Sequence, residues 1–297
     1  YTQFMIDHPR WSRDIDLAGK ALLLVGEQGL GDEILFANVL PDIVEALGPD
    51  GRLKLAIEPR LVSLFQRSFP MAEVSGHGTF NVNARVVRGV APESLAAIDL
   101  WAPLATPLTH FRRTLDAFPA RKRYLVPDAT RAAHWTKVLE AAPAGPKIGI
   151  LWKSLKTTGA RKKQFSAFEQ WAPVLTTPGV TFVNLQYGEC HEQLAFAREA
   201  FGVELWTPPG IDLKQDLDDL AALTSALDLV LGFANATSNI AAAGGANVWM
   251  IGGPSVWTQM GSGGYPWYPQ VRTFNPAGFD DWNPVMAAVG DALKSAF

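Results

Sequence analysis

The stretch Lys20-Ala-Leu-Leu-Leu-Val25-Gly26-Glu-Gln-Gly29-Leu-Gly31-Asp32-Glu-Ile-Leu-Phe36 decides the fold. Its opening apolar run is short and uninterrupted, the pattern of a strand buried on both faces of a parallel sheet. Gly26 ends the run, and Gly29 and Gly31 let the backbone turn tightly or approach a ligand. A helix is expected at once over residues 32–46. Ile34, Leu35, Val39, Leu40, Ile43 and Leu47 recur close to a 3.6 period, and Gly48-Pro49 stop the helix.

Working outward, the unit repeats with a strand over 53–57 and a helix over 59–69, Pro59 suiting a first helical turn. From 75 to 127 the signals shorten to pieces such as Ile98-Asp-Leu-Trp101, 103–107 and Tyr124-Leu-Val126. An Ala/Pro/Gly linker at 141–146 precedes a second strand-forming run, Lys147-Ile-Gly-Ile-Leu-Trp152. The boundary falls near 127–146, giving domains 1–140 and 141–297. The second series predicts helices at 166–175, 191–201, 217–227 and 237–243, and strands at 180–186, 203–206, 229–233 and 248–251. A closing helix over 282–296 is expected to cross back to the first domain. Strands alternating with helices predict an α/β protein of two facing Rossmann-like domains with a cleft between them. Ligands of such sheets sit beyond the carboxyl ends of the strands, where strand order reverses.

A chain of 297 residues exceeds one ordinary hydrophobic core, which agrees with two domains. With 48% hydrophobic and 19% charged residues the composition is that of a folded chain. A net charge of -3 supplies neither a basic field for nucleic acid nor a polybasic membrane patch, so a small polar ligand is expected. Cys190 stands alone, which rules out an internal disulfide and points to a reducing, cytoplasmic compartment. The apolar runs at 21–25 and 227–234 fall far short of the roughly 20 residues a membrane helix needs. His8, His77, His110, His134 and His191 lack metal-ligand spacing, so neither a metal nor another cofactor is expected, and they read as isolated surface or core residues. The start at Tyr1, without methionine or a signal-peptide pattern, suggests a piece of a longer protein.

Four places carry candidate chemistry. Asp32, at a helix start beside Gly29 and Gly31, is a candidate general base or a helix cap that complements the dipole. A dinucleotide reading of Gly29-x-Gly31, with Glu58 as ribose-binding acid, meets Ile34 at the third glycine position and two acids, Asp32 and Glu33, facing a pyrophosphate. Trp152-Lys153, with Lys156, Arg161, Lys162 and Lys163, is either a cationic seat for a departing phosphate or a solvated basic loop. Phe233-Ala-Asn235-Ala-Thr237-Ser238-Asn239 offers hydroxyls, amides and free N–H groups at a helix N-terminus, a phosphate seat. The loop carrying Trp257, Tyr265 and Trp267 either stacks on an acceptor, base or sugar or packs structurally. Asp216, Asp218 and Asp219 read as capping acids of the helix they open.

Gly26-Glu-Gln-Gly-Leu-Gly-Asp32-Glu-Ile-Leu-Phe, Phe182-Val-Asn-Leu-Gln186-Tyr187-Gly, Asp218-Asp-Leu-Ala-Ala-Leu and Tyr265-Pro-Trp-Tyr-Pro269 together resemble the glycosyltransferase module that follows tetratricopeptide repeats in bacterial proteins. That module is similar to the heptosyltransferases and, more distantly, to O-GlcNAc transferase. The resemblance implies a GT-B fold, a nucleotide-sugar donor held mainly by the C-terminal domain, and metal-independent inversion. It makes Asp32 the catalytic base and places Lys163, ahead of Phe165, on the donor phosphates. It gives a donor contact to Glu189, neighbour of Glu192; Gly29, Gly31, Trp152, Lys153, Gln186 and Tyr187 are further candidate donor contacts. The family's Asp-Thr-Gly-x-x-His loop is matched by Ala234-Asn-Ala-Thr-Ser-Asn239, so its acid and histidine are replaced. Losing a carboxylate beside the phosphates suits an acidic donor such as a CMP-linked nonulosonic acid, alongside UDP-, ADP- and GDP-linked sugars. The implied acceptor is a hydroxyl, for example a flagellin Ser or Thr held by upstream repeats. An inactive sugar-nucleotide binding module and an NAD-type oxidoreductase are the alternatives.

Overall fold

Among the described residues the first part of the chain contains β1 (Gln3–Phe4), β2 (Ala21–Val25), β3 (Arg52–Ile57), β4 (Ala72–Gly76), β5 (Gly78–Val82), β6 (Arg85–Gly89) and β7 (Leu100–Pro103). The structure, a computed structural model, describes residues 2–154, 163–254 and 256–297. Packing divides the chain into the units Tyr1–Val126 and Pro127–Phe297.

In the first unit four strands form a parallel sheet in the order β4-β3-β2-β7. Every residue of β2 is buried. Because successive side chains point to opposite faces, the sheet is covered on both sides at this strand. β2 comes first of these four in the chain and its neighbour β7 last, so strand order reverses between them. The turn that follows β2 opens at that reversal. The edge of β7 is closed by the lead-in segment: Arg10 bridges to Trp101, and the Trp101 Nε1–H donates to the His8 carbonyl at 3.0 Å.

The first helix differs from its expected form. It begins at Leu30 with Gly29 as N-cap, ends at Phe36, and passes through a 3-10 turn at Ala37–Val39 into the helix Leu40–Leu47. Pro41 has no N–H to give the Ala37 carbonyl, which breaks the α pattern there. The region of short signals supplies β5 and β6, which form a second sheet with β1 in the order β1-β6-β5. Its β5-β6 hairpin turns at Asn83 and Ala84 with φ of 49° and 60°, the left-handed pair of a type I′ turn.

The second unit contains β8 (Lys147–Leu151), β9 (Thr181–Asn184), β10 (Leu229–Phe233), β11 (Val248–Ile251) and β12 (Val271–Phe274), parallel throughout in the order β12-β11-β10-β8-β9. Here the order reverses between β8 and β10. The strand expected over 203–206 is a single bridge, Trp206 to Val183, and Pro208 and Pro209, one residue further on, lack the N–H donors to extend it. The stretch ahead of the 141–146 linker forms the helix Ala129–Leu139, which packs on Leu217–Ser225. Asp219 accepts there from Trp135 Nε1 at 3.0 Å and pairs with Arg131, so this acid joins two helices beyond complementing a dipole.

The closing helix, Trp282–Ala296, buries Trp282, Val285, Met286, Val289, Gly290 and Leu293, one apolar stripe at helical spacing. It packs on the short helix Ala172–Leu175 of its own unit. A Cβ at Gly290 would stand 2.4 Å from the Pro173 carbonyl oxygen. Helix propensity alone favours Gly290→Ala by about 1 kcal/mol, whereas forcing atoms into a packed contact costs about 1–3 kcal/mol. The overlap is with backbone, which cannot swing aside, so the expected result is a lower melting temperature in calorimetry. A rise would mean the two helices are not held at this distance.

Candidate functional site

Each unit presents candidate groups at the carboxyl edge of its own sheet. In the first, the turn after β2 carries Glu27, Gln28, Gly29 and Asp32. Gln28 holds φ at 61°, a left-handed conformation unusual for a residue with a side chain. Asp32, half-buried at the third helical position, accepts the Gly29 N–H at 3.0 Å. The capping role is thus present, and it fixes one carboxylate oxygen of the candidate base. Glu27 Oε1 accepts the Ala105 N–H at 3.0 Å, joining the loop after β2 to the loop after β7 across the reversal. Burial pushes the Glu27 carboxyl above its usual range, with Asp32 and Glu33 adding to the rise and the Ala105 bond and Arg10 opposing it.

Beneath this turn lies a buried polar network that sequence reading passed over. Glu33, 1% exposed, receives the Glu58 N–H on Oε2 at 2.7 Å. Its Oε1 faces His77 Nε2 at 2.8 Å and Arg88 Nη2 at 3.8 Å. With a carboxylate opposite, His77 presents its Nε2–H, so this histidine is a structural partner of Glu33 and not an isolated residue. Arg88, 6% exposed, also donates to the Gln28 carbonyl at 2.7 Å and to Thr79 Oγ1. The network explains Gly26: a Cβ there would lie 2.4–2.6 Å from the Glu33 carboxyl group. A buried acid thus requires glycine where the strand ends. Glu58, the acid of the dinucleotide reading, is gripped by Arg60 at 2.9 and 3.0 Å, which holds its carboxyl below the usual range.

In the second unit the carboxyl ends of β8 and β9 are joined by Gln186, whose Oε1 accepts the N–H groups of both Trp152 and Lys153 at 3.0 and 2.9 Å. Gln186 Nε2 donates to the Tyr187 carbonyl. Trp152 and Gln186 are each 2% exposed and so act from within the loop framework. Lys153 Nζ reaches the Glu189 carbonyl at 2.9 Å and Gln193 Oε1 at 3.1 Å. The Glu189 side chain itself is exposed, as is Lys163. Lys156, Arg161 and Lys162 lie outside the described residues.

Across the reversal, β10 ends in Phe233, whose ring is wedged among Phe165, Trp171 and Trp282 at centroid distances of 5.0, 6.1 and 5.3 Å. This aromatic packing fixes the start of the helix Ala236–Ala243. Asn235 and Ser238 cap it reciprocally: Asn235 Oδ1 accepts the Ser238 N–H, and Ser238 Oγ accepts the Asn235 N–H. Asn239 Nδ2 donates to the Asn235 carbonyl at 2.9 Å. Thr237 is 2% exposed. Capping leaves two amide atoms over. Asn235 Nδ2 and Asn239 Oδ1 are buried without a hydrogen-bond partner among the described residues, as is the Trp152 Nε1. Orphan groups of this kind call for an explanation such as a ligand.

The aromatic loop divides. Trp267 and Tyr265 are packed, at 2% and 6% exposure, with Tyr265 stacked on Tyr268 and Trp267 Nε1 bonded to the Thr258 carbonyl. Trp257 is 57% exposed and meets Trp267 edge-on. A cavity of ≈ 80 Å³ joins this loop to the tip of β10, lined by Phe165, Ala234, Thr258 and Tyr265 among others. Among the described residues no helix is long and apolar enough to cross a membrane, and no three His, Cys, Asp or Glu side chains group as metal ligands.

No family model matches the chain. It is 54% identical over 294 residues to protein FlbA of Caulobacter vibrioides, a match covering 98% of this chain and 49% of that protein. The chain therefore spans about half the length of the curated relative it matches. Among solved structures, the family 9 glycosyl transferase of Veillonella parvula superposes with a TM-score of 0.65 at 13% identity, covering 96% of this chain and 98% of that one. The ADP-heptose lipopolysaccharide heptosyltransferase II of E. coli superposes with a TM-score of 0.56 at 13% identity, covering 93% and 100%. The chain has the GT-B fold of these glycosyltransferases.

Proposed function

We propose that this chain is the sugar-transferring part of a metal-independent, inverting glycosyltransferase. The second unit holds a nucleotide-activated sugar, with Lys153, Lys163 and the start of the helix Ala236–Ala243 taking the phosphate charge. Asp32 removes the proton of an acceptor hydroxyl, which attacks the anomeric carbon from the face opposite the nucleotide while the carbon–phosphate-oxygen bond breaks. One observation carries the reading. Both Asp32 and the orphaned amides of Asn235 and Asn239 follow strands that flank the order reversal of their own parallel sheets, where α/β sheets bind ligands. The fold shared with sugar-transferring enzymes supports it. The acceptor in this reading is a protein Ser or Thr, held by repeats of the tetratricopeptide kind elsewhere in a longer protein, and the extra length of the curated relative is compatible with that.

The test is a melting panel of UDP, GDP, ADP, CMP, CDP and NAD. A ligand at 100 times its dissociation constant adds about 2.7 kcal/mol to native stability. A shift with one sugar-carrier nucleotide is expected, and its identity names the donor class, CMP pointing to an acidic nonulosonic sugar. A shift with NAD alone would overturn the reading in favour of an oxidoreductase.

A further inference from the structure

The Gln28–Gly29 peptide links two groups that the chain keeps far apart. Its carbonyl accepts from Arg88 Nη2 at 2.7 Å, and its N–H donates to Asp32 Oδ2 at 3.0 Å. In a trans peptide the C=O and N–H point in opposite directions. A guanidinium that fixes the carbonyl therefore aims the N–H at the carboxylate. The peptide needs such a hold, because Gln28 sits at a φ of 61° that its side chain disfavours. Arg88 is itself locked: it is 6% exposed, bonded to Thr79, and 3.8 Å from the Glu33 carboxylate that balances its charge. Glu33 is held in turn by His77 and by the Glu58 N–H.

We infer that Arg88 is a positioning residue for Asp32, acting through the Gln28–Gly29 peptide. This rests on the reading of Asp32 as the base. Arg88 meets Asp32 through that peptide, so its loss acts on the orientation of one carboxylate. Misplacing a reacting group by about 1 Å costs on the order of 100-fold in rate.

The test is a double-mutant cycle on nucleotide release, with donor KM and melting temperature measured in parallel. Arg88→Gln is expected to lower kcat about 10- to 100-fold with donor KM unchanged. In the Asp32→Asn background the same substitution is expected to cost little more, because the group it positions is already disabled. Arg88→Lys keeps the charge beside Glu33 but cannot reach the Gln28 carbonyl and Thr79 in one fork, so it is expected to fold and still lose kcat. It carries the same cycle should Arg88→Gln unfold. Wild-type kcat in both Arg88 variants, a raised KM at unchanged kcat, or an equal fall with and without Asp32 would each overturn the inference. Full turnover in Asp32→Asn alone would instead overturn the base assignment beneath it.

Discussion

Asp32→Asn is expected to lower kcat by about 100- to 10,000-fold, the range that a positioned general base contributes. Donor affinity, measured as a melting shift or by titration, is expected to stay within about twofold, because the proposed phosphate contacts lie in the second unit. Asparagine separates the two roles that Asp32 holds. Its Oδ1 still accepts the Gly29 N–H, so the helix start at Leu30 keeps its cap, worth about 1 kcal/mol. It cannot take a proton. Alanine would remove cap and base together and leave the result ambiguous. A turnover loss without a stability loss is thus the signature of the base, and undiminished turnover would reduce Asp32 to a capping residue.

Glu33→Ala is expected to destabilise the first unit by about 3–5 kcal/mol, the usual cost of removing one member of a buried charged pair. Three groups lose a partner at once: the His77 ring and the Glu58 N–H lose their acceptor, and the Arg88 guanidinium loses its counter-charge. Water cannot replace it readily, since Glu33, His77 and Arg88 are 1%, 4% and 6% exposed. Glu58→Ala serves as the contrast. Its ion pair with Arg60 involves side chains 24–28% exposed, which limits its worth to about 1 kcal/mol or less. The Glu58 N–H that Glu33 uses belongs to the backbone and survives. Denaturant unfolding of both variants checks the pair. Equal, small losses would mean that the acid beneath the turn is not carrying the network.

Local chemistry explains what the sequence disclosed. The strand Ala21–Val25 was legible because all five residues are apolar and buried, and the helix His191–Phe201 because Gly202 supplies the left-handed cap at φ 68°. The closing helix Trp282–Ala296 announced itself by its stripe. The hairpin of β5 and β6 did not. Its residues are mostly exposed, and its turn uses Asn83 and Ala84 in place of a glycine. β12 alternates without a buried run, and Ala129–Leu139 was hidden by the Pro- and Ala-rich surroundings, although Asp128 already stood as its N-cap.

The site followed the same rule. Gly29, Gly31 and Asp32 were visible as a contiguous turn, and Asn235 to Asn239 as a cluster between a strand and a helix. Glu33, His77 and Arg88 were not, because each is an ordinary charged residue until the sheet brings them together; Glu33 and His77 are 44 positions apart in sequence. The signals left for them were a glutamate beside the apolar pair Ile34-Leu35 and a glycine, Gly26, at the end of the strand. Gln186 showed the converse: assigned to the donor, it spends its amide on the loop of Trp152 and Lys153.

Sugar transfer is tested most directly by nucleotide release from the sugar donor that the melting panel selects, followed with and without an acceptor hydroxyl, for the wild type and Asp32→Asn. The expected result is acceptor-stimulated release by the wild type that collapses in the variant while both proteins still bind the nucleotide. Binding without release by the wild type would contradict it, leaving a sugar-nucleotide binding module in place of an enzyme.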